Sequence, residues 1–143
     1  MHHYTECGLQ KVWLLNGFKI HKTPHGAGLA INDVVGLHRA IGRTIAQRPR
    51  LTGAELRFLR KEMELSQRGL AALLGVSEQI VSLWERKGKI PRGTARLVKL
   101  IYLERLDGNV KIVQMIEGLI EQDEDGQEEL RFKAKAGQWR AAA

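Results

Sequence analysis

The chain has 143 residues, 43% of them hydrophobic, which suffices for one folded domain or two small ones. A formal net charge of +7 favours a polyanionic partner. The basic character lies in the first two thirds of the chain, where residues 1–50 carry a net charge of +5 and residues 51–107 a net charge of +4, whereas residues 108–143 carry −2. An anion-binding face is therefore expected before residue 108.

Cysteine content and hydropathy exclude several classes of protein. The single cysteine, Cys7, rules out an intrachain disulfide and fits a reducing compartment. No apolar run approaches the ~18 residues of a membrane span, and the N-terminus lacks the apolar core of a signal peptide. We therefore expect a cytoplasmic protein that makes no contact with membranes.

Residues 9–31 have the pattern of short β-strands. Asn16-Gly17 separates two apolar runs in VWLLNGFKI, and Asn-Gly favours a hairpin because both turn residues adopt positive φ. A second turn at TPHGAG (residues 23–28) and a third strand at residues 29–31 complete a predicted antiparallel meander. The large apolar side chains of these strands are predicted to form their core, the alternative being an exposed patch that binds a partner protein. They are Trp13, Phe18 and Ile20.

Four residues of the N-terminal part have side chains that suit zinc, namely Cys7, His21, His25 and His38. Their spacing matches no metal-binding motif, and a hairpin need not bring them together. Scattered surface histidines are the better interpretation, so no metal and no other cofactor is expected.

A helix is predicted after the strands. Asn32 or Asp33 can cap its N-terminus, and apolar residues recur at helical spacing. The segment QRPR ends the helix, because the residue before Pro49 is disfavoured in the α conformation. The apolar stripe comprises Val34, Leu37, Ile41 and Ile45.

Further helices are predicted between residues 51 and 120. The first opens with Thr52 followed by Glu55, a capping box, and its apolar stripe is Leu56, Leu59 and Met63. Ser66 and Ser77 are candidate N-caps of two shorter helices. After the break at Pro91, the last two helices are predicted over residues 95–106 and 110–120. The acidic and then alanine-rich tail, residues 121–143, is predicted to be disordered.

The segment SQRGLAALLGVSEQIVSLWE (residues 66–85) meets the demands of two helices that cross over a short turn. Gly75 can adopt the left-handed conformation where the first helix must stop, and Ala71 leaves room for the second helix. Val81 and Trp84 share one face of the second helix and can anchor it to the core. The residues left on the outward face are Ser77, Glu78, Gln79, Ser82 and Leu83.

This segment resembles the Xre/Cro-type helix-turn-helix, and the resemblance extends over residues 50–106. The positions that match the family's spacing are Gln67, Ala71, Gly75, Val81, Trp84, Glu85 and Pro91. The resemblance implies a mainly α fold. A five-helix, lambda-repressor-like domain over residues 49–120 would follow a small β-hairpin or meander segment with a linker helix, residues 1–48.

The resemblance also implies roles for individual residues. The second helix of the unit enters the major groove of DNA, and the first crosses the backbone. Arg60 and Glu85 match a structural ion pair between the preceding helix and the recognition helix. The base-reading positions are Glu78, Gln79 and Leu83. The predicted contacts with the DNA backbone come from Gln67, Ser77, Ser82, Arg86, Lys87, Lys89 and Arg92.

The chemistry of these positions can be argued independently. Gln79 can bond adenine at N6 and N7, and Leu83 can touch a thymine methyl group. Glu78 can accept from cytosine N4, or it can simply complement the helix dipole. The helix has no Arg or Lys before Arg86, so strong discrimination of G·C pairs is not expected. The basic loop RKGKIPRGTAR (residues 86–96) suits phosphates, the alternative being a solvated run of charge.

The whole layout resembles, more narrowly, the MqsA/HigA-type antitoxins, in which a small β-rich domain precedes a linker helix and an Xre-type domain. The zinc-binding members carry paired CxxC motifs in the N-terminal part. This chain has only Cys7, which excludes a four-cysteine zinc site. The resemblance implies a toxin protein as a partner.

Two functions follow as hypotheses. The first is a sequence-specific DNA-binding transcriptional regulator, a repressor of a palindromic operator in double-stranded DNA and, in a sharper form, an autoregulating antitoxin. The wide apolar stripe of residues 110–120 suggests a homodimer, with ordinary core packing as the alternative. The second hypothesis is a module that sequesters a partner through the N-terminal segment. No enzyme is expected, because no nucleophile set, phosphate loop or acid pair occurs in a recognisable frame.

Overall fold

The computed structural model describes residues 1–108, 114, 118 and 130–142. Within this part of the chain, five helices follow four short strands, so the predicted mainly α fold is confirmed. The helices are α1 (Val34–Gln47), α2 (Gly53–Glu62), α3 (Gln67–Leu74), α4 (Glu78–Lys87) and α5 (Arg92–Leu106). Gln114 and Gly118 are also helical. The rest of the predicted helix over 110–120, with its apolar stripe, lies outside the described residues.

Side-chain caps begin the helices where the sequence predicts them. The Thr52 hydroxyl accepts from the Glu55 amide at 3.1 Å, and the Glu55 carboxylate accepts from the Thr52 amide at 2.9 Å, which confirms the capping box of α2. Ser66, Ser77 and Asp33 cap α3, α4 and α1 through their side-chain oxygens, each of which accepts from the backbone amide three residues later. Such caps typically contribute about 1 kcal/mol each.

Helix α5 begins at Arg92, three residues before the predicted start. Its N-cap is Pro91, which has no side chain that can cap. Gly93 and Thr94 are weak helix formers, but the first turn of a helix tolerates them because its amides have no intrahelical partner in any case.

A core of aliphatic side chains joins α2, α3, α4 and α5. Leu56, Leu59 and Met63 are all buried, which confirms the predicted stripe of α2. The largest side chains with no measurable exposure are Leu56, Leu59, Leu70, Ile101, Val81 and Val98. Helix α1 packs on α5 and α2. Its contact with α5 is close, because Gly42 lies directly against the buried Tyr102 ring.

The N-terminal strands pair differently from the predicted meander. Strand β1 (His2–His3) pairs with β2 (Trp13–Leu14), and β3 (Phe18–Thr23) pairs with β4 (Gly26–Ile31), so two separate antiparallel sheets form. The turn within residues 23–28 and the strand at 29–31 are confirmed. The hairpin at Asn16-Gly17 is wrong: Gly17 has a φ of +78°, but Asn16 does not have the positive φ that the predicted turn requires.

The predicted core of these strands is also wrong. Trp13 is 54% exposed and Ile20 is 55% exposed, while Phe18 is half-buried. Among the described residues no further layer covers these sheets, because each sheet has only two strands and β3 and β4 are exposed along most of their length. Trp13 instead stacks on His3, with ring centroids 4.2 Å apart.

His38 ties the N-terminal segment to the helices, so it is not the surface histidine that the sequence predicts. Its Nδ1 lies 2.8 Å from the Glu62 carboxylate on α2, and its Nε2 lies 2.9 Å from the Tyr4 hydroxyl. When Nδ1 of a neutral ring donates to Glu62, Nε2 is left to accept from Tyr4. Burial raises the pKa of Tyr4, which keeps its hydroxyl protonated as a donor.

The end of the chain contains a hairpin where the sequence predicts disorder. Strands β5 (Phe132–Lys135) and β6 (Gln138–Ala141) pair across a two-residue turn. Both turn residues have positive φ, +53° for Ala136 and +75° for Gly137, as a type I′ turn requires. The prediction of disorder therefore does not hold for residues 132–141. The composition of the segment did not indicate a hairpin, because alanine rarely adopts the positive φ that Ala136 has here.

The described residues were compared with the requirements of a membrane-spanning helix and of a metal site. None of their helices combines the length and the apolar character needed to cross a membrane. No group of three or more His, Cys, Asp and Glu side chains lies close enough together among them to hold a metal ion.

Gly53 allows the start of α2 to lie against the end of α4. A Cβ atom at this position would lie 2.3 Å from the carbonyl oxygen of Glu85 and 2.7 Å from that of Trp84. We therefore expect Gly53→Ala to lower the free energy of unfolding by about 1–3 kcal/mol, the usual cost of overpacking, in urea denaturation. Gly93→Ala is the control, because a Cβ there meets nothing within 4 Å. Equal stability of the two variants would contradict the prediction.

Candidate nucleic-acid interface

Helices α3 and α4 are joined by a tight turn. Gly75 ends α3 with a φ of +69°, as predicted, and the Val76 amide donates to the Ala71 carbonyl at 3.0 Å. Two residues later Ser77 caps α4. Ala71 is buried between the helices, so the small side chain permits the close crossing.

Helix α4 has one buried face and one exposed face. Val81 is fully buried and Trp84 is 8% exposed, so both anchor the helix as predicted. The opposite face presents Glu78, Gln79 and Leu83 to solvent, and Leu83 is 44% exposed. The structure thus brings the three predicted base-reading residues to one surface.

Ile80 belongs to this exposed face as well, and sequence reasoning missed it. Its side chain is 39% exposed, and it precedes Leu83 by three residues, so the two form an apolar pair on the helix surface. No sequence signal indicated this exposure, because Ile80 precedes the buried Trp84 by four residues, a spacing that favours the same side of a helix.

A buried ion pair fixes α4 against α2. Arg60 Nε donates to Glu85 Oε2 at 2.7 Å, and Nη2 donates to Oε1 at 3.0 Å, so the contact is bidentate. The side chains are only 10% and 5% exposed. Arg60 also donates to the Leu65 carbonyl at 3.0 Å, which holds the segment between α2 and α3.

The comparisons with known proteins agree with this geometry. The helix-turn-helix family model matches residues 56–95, which include most of α2, all of α3 and α4 and the start of α5. Residues 56–95 are a helix-turn-helix of the Xre/Cro type. No curated protein and no solved structure matches the chain. At the level of the family, the match supports a DNA-binding transcriptional regulator.

Within the helix-turn-helix, Gln67 at the start of α3 joins the ion-pair network. Its side-chain amide donates to Glu85 Oε1 at 3.3 Å. The amide nitrogen carries a second N–H, which can donate to a phosphate from the same position. The predicted phosphate contact of Gln67 is therefore compatible with its structural role.

Basic side chains surround the C-terminal end of α4. Arg86 and Lys87 occupy its last turn, where cations complement the helix dipole, and Gly88 ends the helix with a φ of +73°. Lys89, Arg92 and Arg96 follow on the exposed surface. None of these five cations forms an ion pair with another described residue.

The two serines of the predicted backbone set differ in exposure. Ser77 is exposed and uses its oxygen to accept from the Ile80 amide at 3.2 Å, so its hydroxyl hydrogen is available to a phosphate. Ser82 is half-buried beside the exposed face.

Removing one partner of the buried pair should destabilise the helix-turn-helix. Arg60→Met leaves the Glu85 carboxylate buried without its counter-charge, which typically costs about 3–5 kcal/mol of folding free energy. Urea denaturation should show this loss, and Arg60→Met/Glu85→Met should recover much of it because no unpaired charge remains.

Arg43→Gln provides the control, because Arg43 and Asp107 form an exposed pair with side chains 48% and 54% exposed. Its loss should cost less than about 1 kcal/mol. A similar effect of Arg60→Met and Arg43→Gln would contradict a special role of the buried pair.

Proposed function

We propose that this chain is a sequence-specific repressor of transcription that binds a palindromic operator in double-stranded DNA with α4 as its reading element. The observation that carries the proposal is the division of α4 into two faces. Val81, Trp84 and Glu85 hold one face to the core, which leaves Gln79 and Leu83 exposed on the other side of the helix.

The exposed residues favour A·T pairs. The Gln79 amide can bond adenine bidentately at N6 and N7. Leu83 and Ile80 form an apolar surface that suits the thymine methyl group. Glu78 lies in the first turn of α4, where its charge complements the helix dipole and can also accept from cytosine N4.

The proposed phosphate contacts lie in two places, at the N-termini of α3 and α4 and at the C-terminal end of α4. Gln67 and Ser77 stand at the N-termini of α3 and α4, whose amide groups favour anions. The cations from Arg86 to Arg92 lie at the other end. Contacts of this kind contribute affinity and register, and they weaken as salt is added.

Repression by a homodimer is part of the same proposal. Two recognition helices in a two-fold dimer would meet half-sites about one helical turn of DNA apart, which is why we expect a palindromic operator. In its sharper form the protein is an antitoxin that represses its own operon. The order of the segments supports this form, because a β-containing N-terminal part precedes α1 and the helix-turn-helix.

The second candidate function is a module that sequesters a partner protein through the N-terminal segment. Trp13 and Leu15 favour it, because they are 54% and 78% exposed in a segment with little core of its own. An open groove of about 740 Å³ lies beside them, between residues 9–14 and α1. Leu9, Leu14, Leu37 and Ile41 contribute to its mainly apolar lining.

Substituting Gln79 tests whether α4 recognises the bases of the operator. Gln79→Ala should weaken binding to the DNA upstream of the coding region by about 1–3 kcal/mol and leave binding to unrelated DNA unchanged, since only the base contact is lost. Fluorescence anisotropy with competitor DNA measures both. Gln47→Ala, which removes an exposed glutamine at the end of α1, is the matched control. Equal binding of Gln79→Ala and wild type to both DNAs would refute the proposal.

Substituting Trp13 tests the second function. Trp13→Lys places a charge in the exposed apolar patch and should abolish co-purification with the protein encoded by an adjoining reading frame. DNA binding should be unchanged, because Trp13 lies outside the helix-turn-helix. Retained co-purification would argue against this surface as the partner site.

A further inference from the structure

The C-terminal hairpin sorts its side chains into two faces of different character. Successive strand residues point to opposite sides, whereas residues paired across the two strands share a side. The register therefore places Lys133, Lys135, Gln138 and Arg140 on one face and Phe132, Ala134 and Trp139 on the other. We name the first set the cationic face.

Positive charge is concentrated on the cationic face. Lys133 is paired directly with Arg140, and like charges in such a pair destabilise a sheet because their Cβ atoms lie only about 5 Å apart. Residues 130–142 include four basic residues and no acidic residue. Lys133, Lys135 and Arg140 are exposed and form no ion pair with another described residue. An anion placed between Lys133 and Arg140 would relieve their repulsion.

The turn holds this face in a defined geometry. A type I′ turn matches the right-handed twist of the two strands, and Ala136 and Gly137 both have the required positive φ. A two-stranded hairpin is only marginally stable alone in water. A ligand that neutralises the opposed charges would therefore also stabilise the hairpin.

We propose that the cationic face is a second contact with the backbone of DNA, in addition to the helix-turn-helix. The inference rests on the proposed function, since it extends the same DNA complex. Duplex DNA suits the face because it presents about one negative charge per 1.7 Å of its axis, and its major groove admits a two-stranded ribbon. The Gln138 amide lies on the same face and can donate to a further phosphate oxygen.

Two double variants of the full chain test the proposal. Lys133→Gln/Arg140→Gln removes the opposed cations. Lys19→Gln/Lys22→Gln removes two exposed cations from the hairpin of β3 and β4, where both lie opposite alanines, so the change in net charge is equal. Binding to a duplex from upstream of the coding region and to an unrelated duplex is measured between about 50 and 200 mM salt, the range in which phosphate contacts respond most clearly.

The hairpin variant should lose affinity for both duplexes by the same factor, because phosphate contacts carry no sequence information. Its plot of log affinity against log salt should become shallower by roughly 1.8, or about 0.9 for each cation. The control variant should retain the wild-type slope. Lys133→Arg/Arg140→Lys should also retain it, because both charges remain.

An unchanged slope in the hairpin variant, or an equal change in the control, would overturn the inference. These cations would then serve another anion, such as the acidic residues present between positions 121 and 129. The proposed function fails separately, when wild type does not prefer the upstream duplex or Gln79→Ala keeps that preference. The slope comparison remains valid in that case, so the two failures are distinguishable.

Discussion

The ion pair between Arg60 and Glu85 is the contact on which the orientation of the exposed face of α4 depends. Two charges that are nearly hidden from water are costly to desolvate, and the cost is offset only by well-placed hydrogen bonds. Here the bidentate contact, the Leu65 carbonyl and the Gln67 amide supply those bonds. Apolar burial is not directional, so by itself it specifies the orientation of a helix less sharply than hydrogen bonds do. A bidentate pair has one geometry, so it fixes which face of α4 is presented.

Small residues complete this arrangement by allowing backbones to approach. Ala71 lets α3 and α4 cross closely, and Gly53 brings the first turn of α2 against the last carbonyl groups of α4. The start of α2 carries partial positive charge and the end of α4 partial negative charge, so their contact is electrostatically favourable. Helices α2 and α4 are therefore held together by side chains at the Arg60–Glu85 pair and by close backbone contact at Gly53.

The parts of the fold that depend on local chemistry were predictable from the sequence. The caps at Thr52, Ser66 and Ser77 and the left-handed stop at Gly75 require only nearby atoms, and the apolar stripe of α2 requires only helical periodicity. The N-terminal strands were not predictable in this way, because their pairing depends on distant residues. Asn16-Gly17 has the composition of a hairpin turn, yet β2 pairs with β1 instead of β3. The link from His38 to Glu62 spans 24 residues and has no local signature.

The candidate site also has parts that the sequence predicted and parts that only the folded structure shows. The resemblance over residues 50–106 indicated the exposed face of α4, but the additional exposure of Ile80 became clear only once α4 was packed. The cationic face of the C-terminal hairpin was hidden in a segment whose composition indicates disorder. Its character appears only when the strand register shows which side chains share a side.

The close contact at Gly53 has a consequence for how DNA binding can be controlled. Because α2 lies against the C-terminal end of α4 and a bidentate ion pair joins the two helices, a signal has little freedom to reorient α4 within its domain. We therefore expect α2 and α4 to move together. In the proposed dimer, an effector would therefore act by changing the distance or the angle between the two copies of the unit, so that their spacing no longer fits the proposed operator.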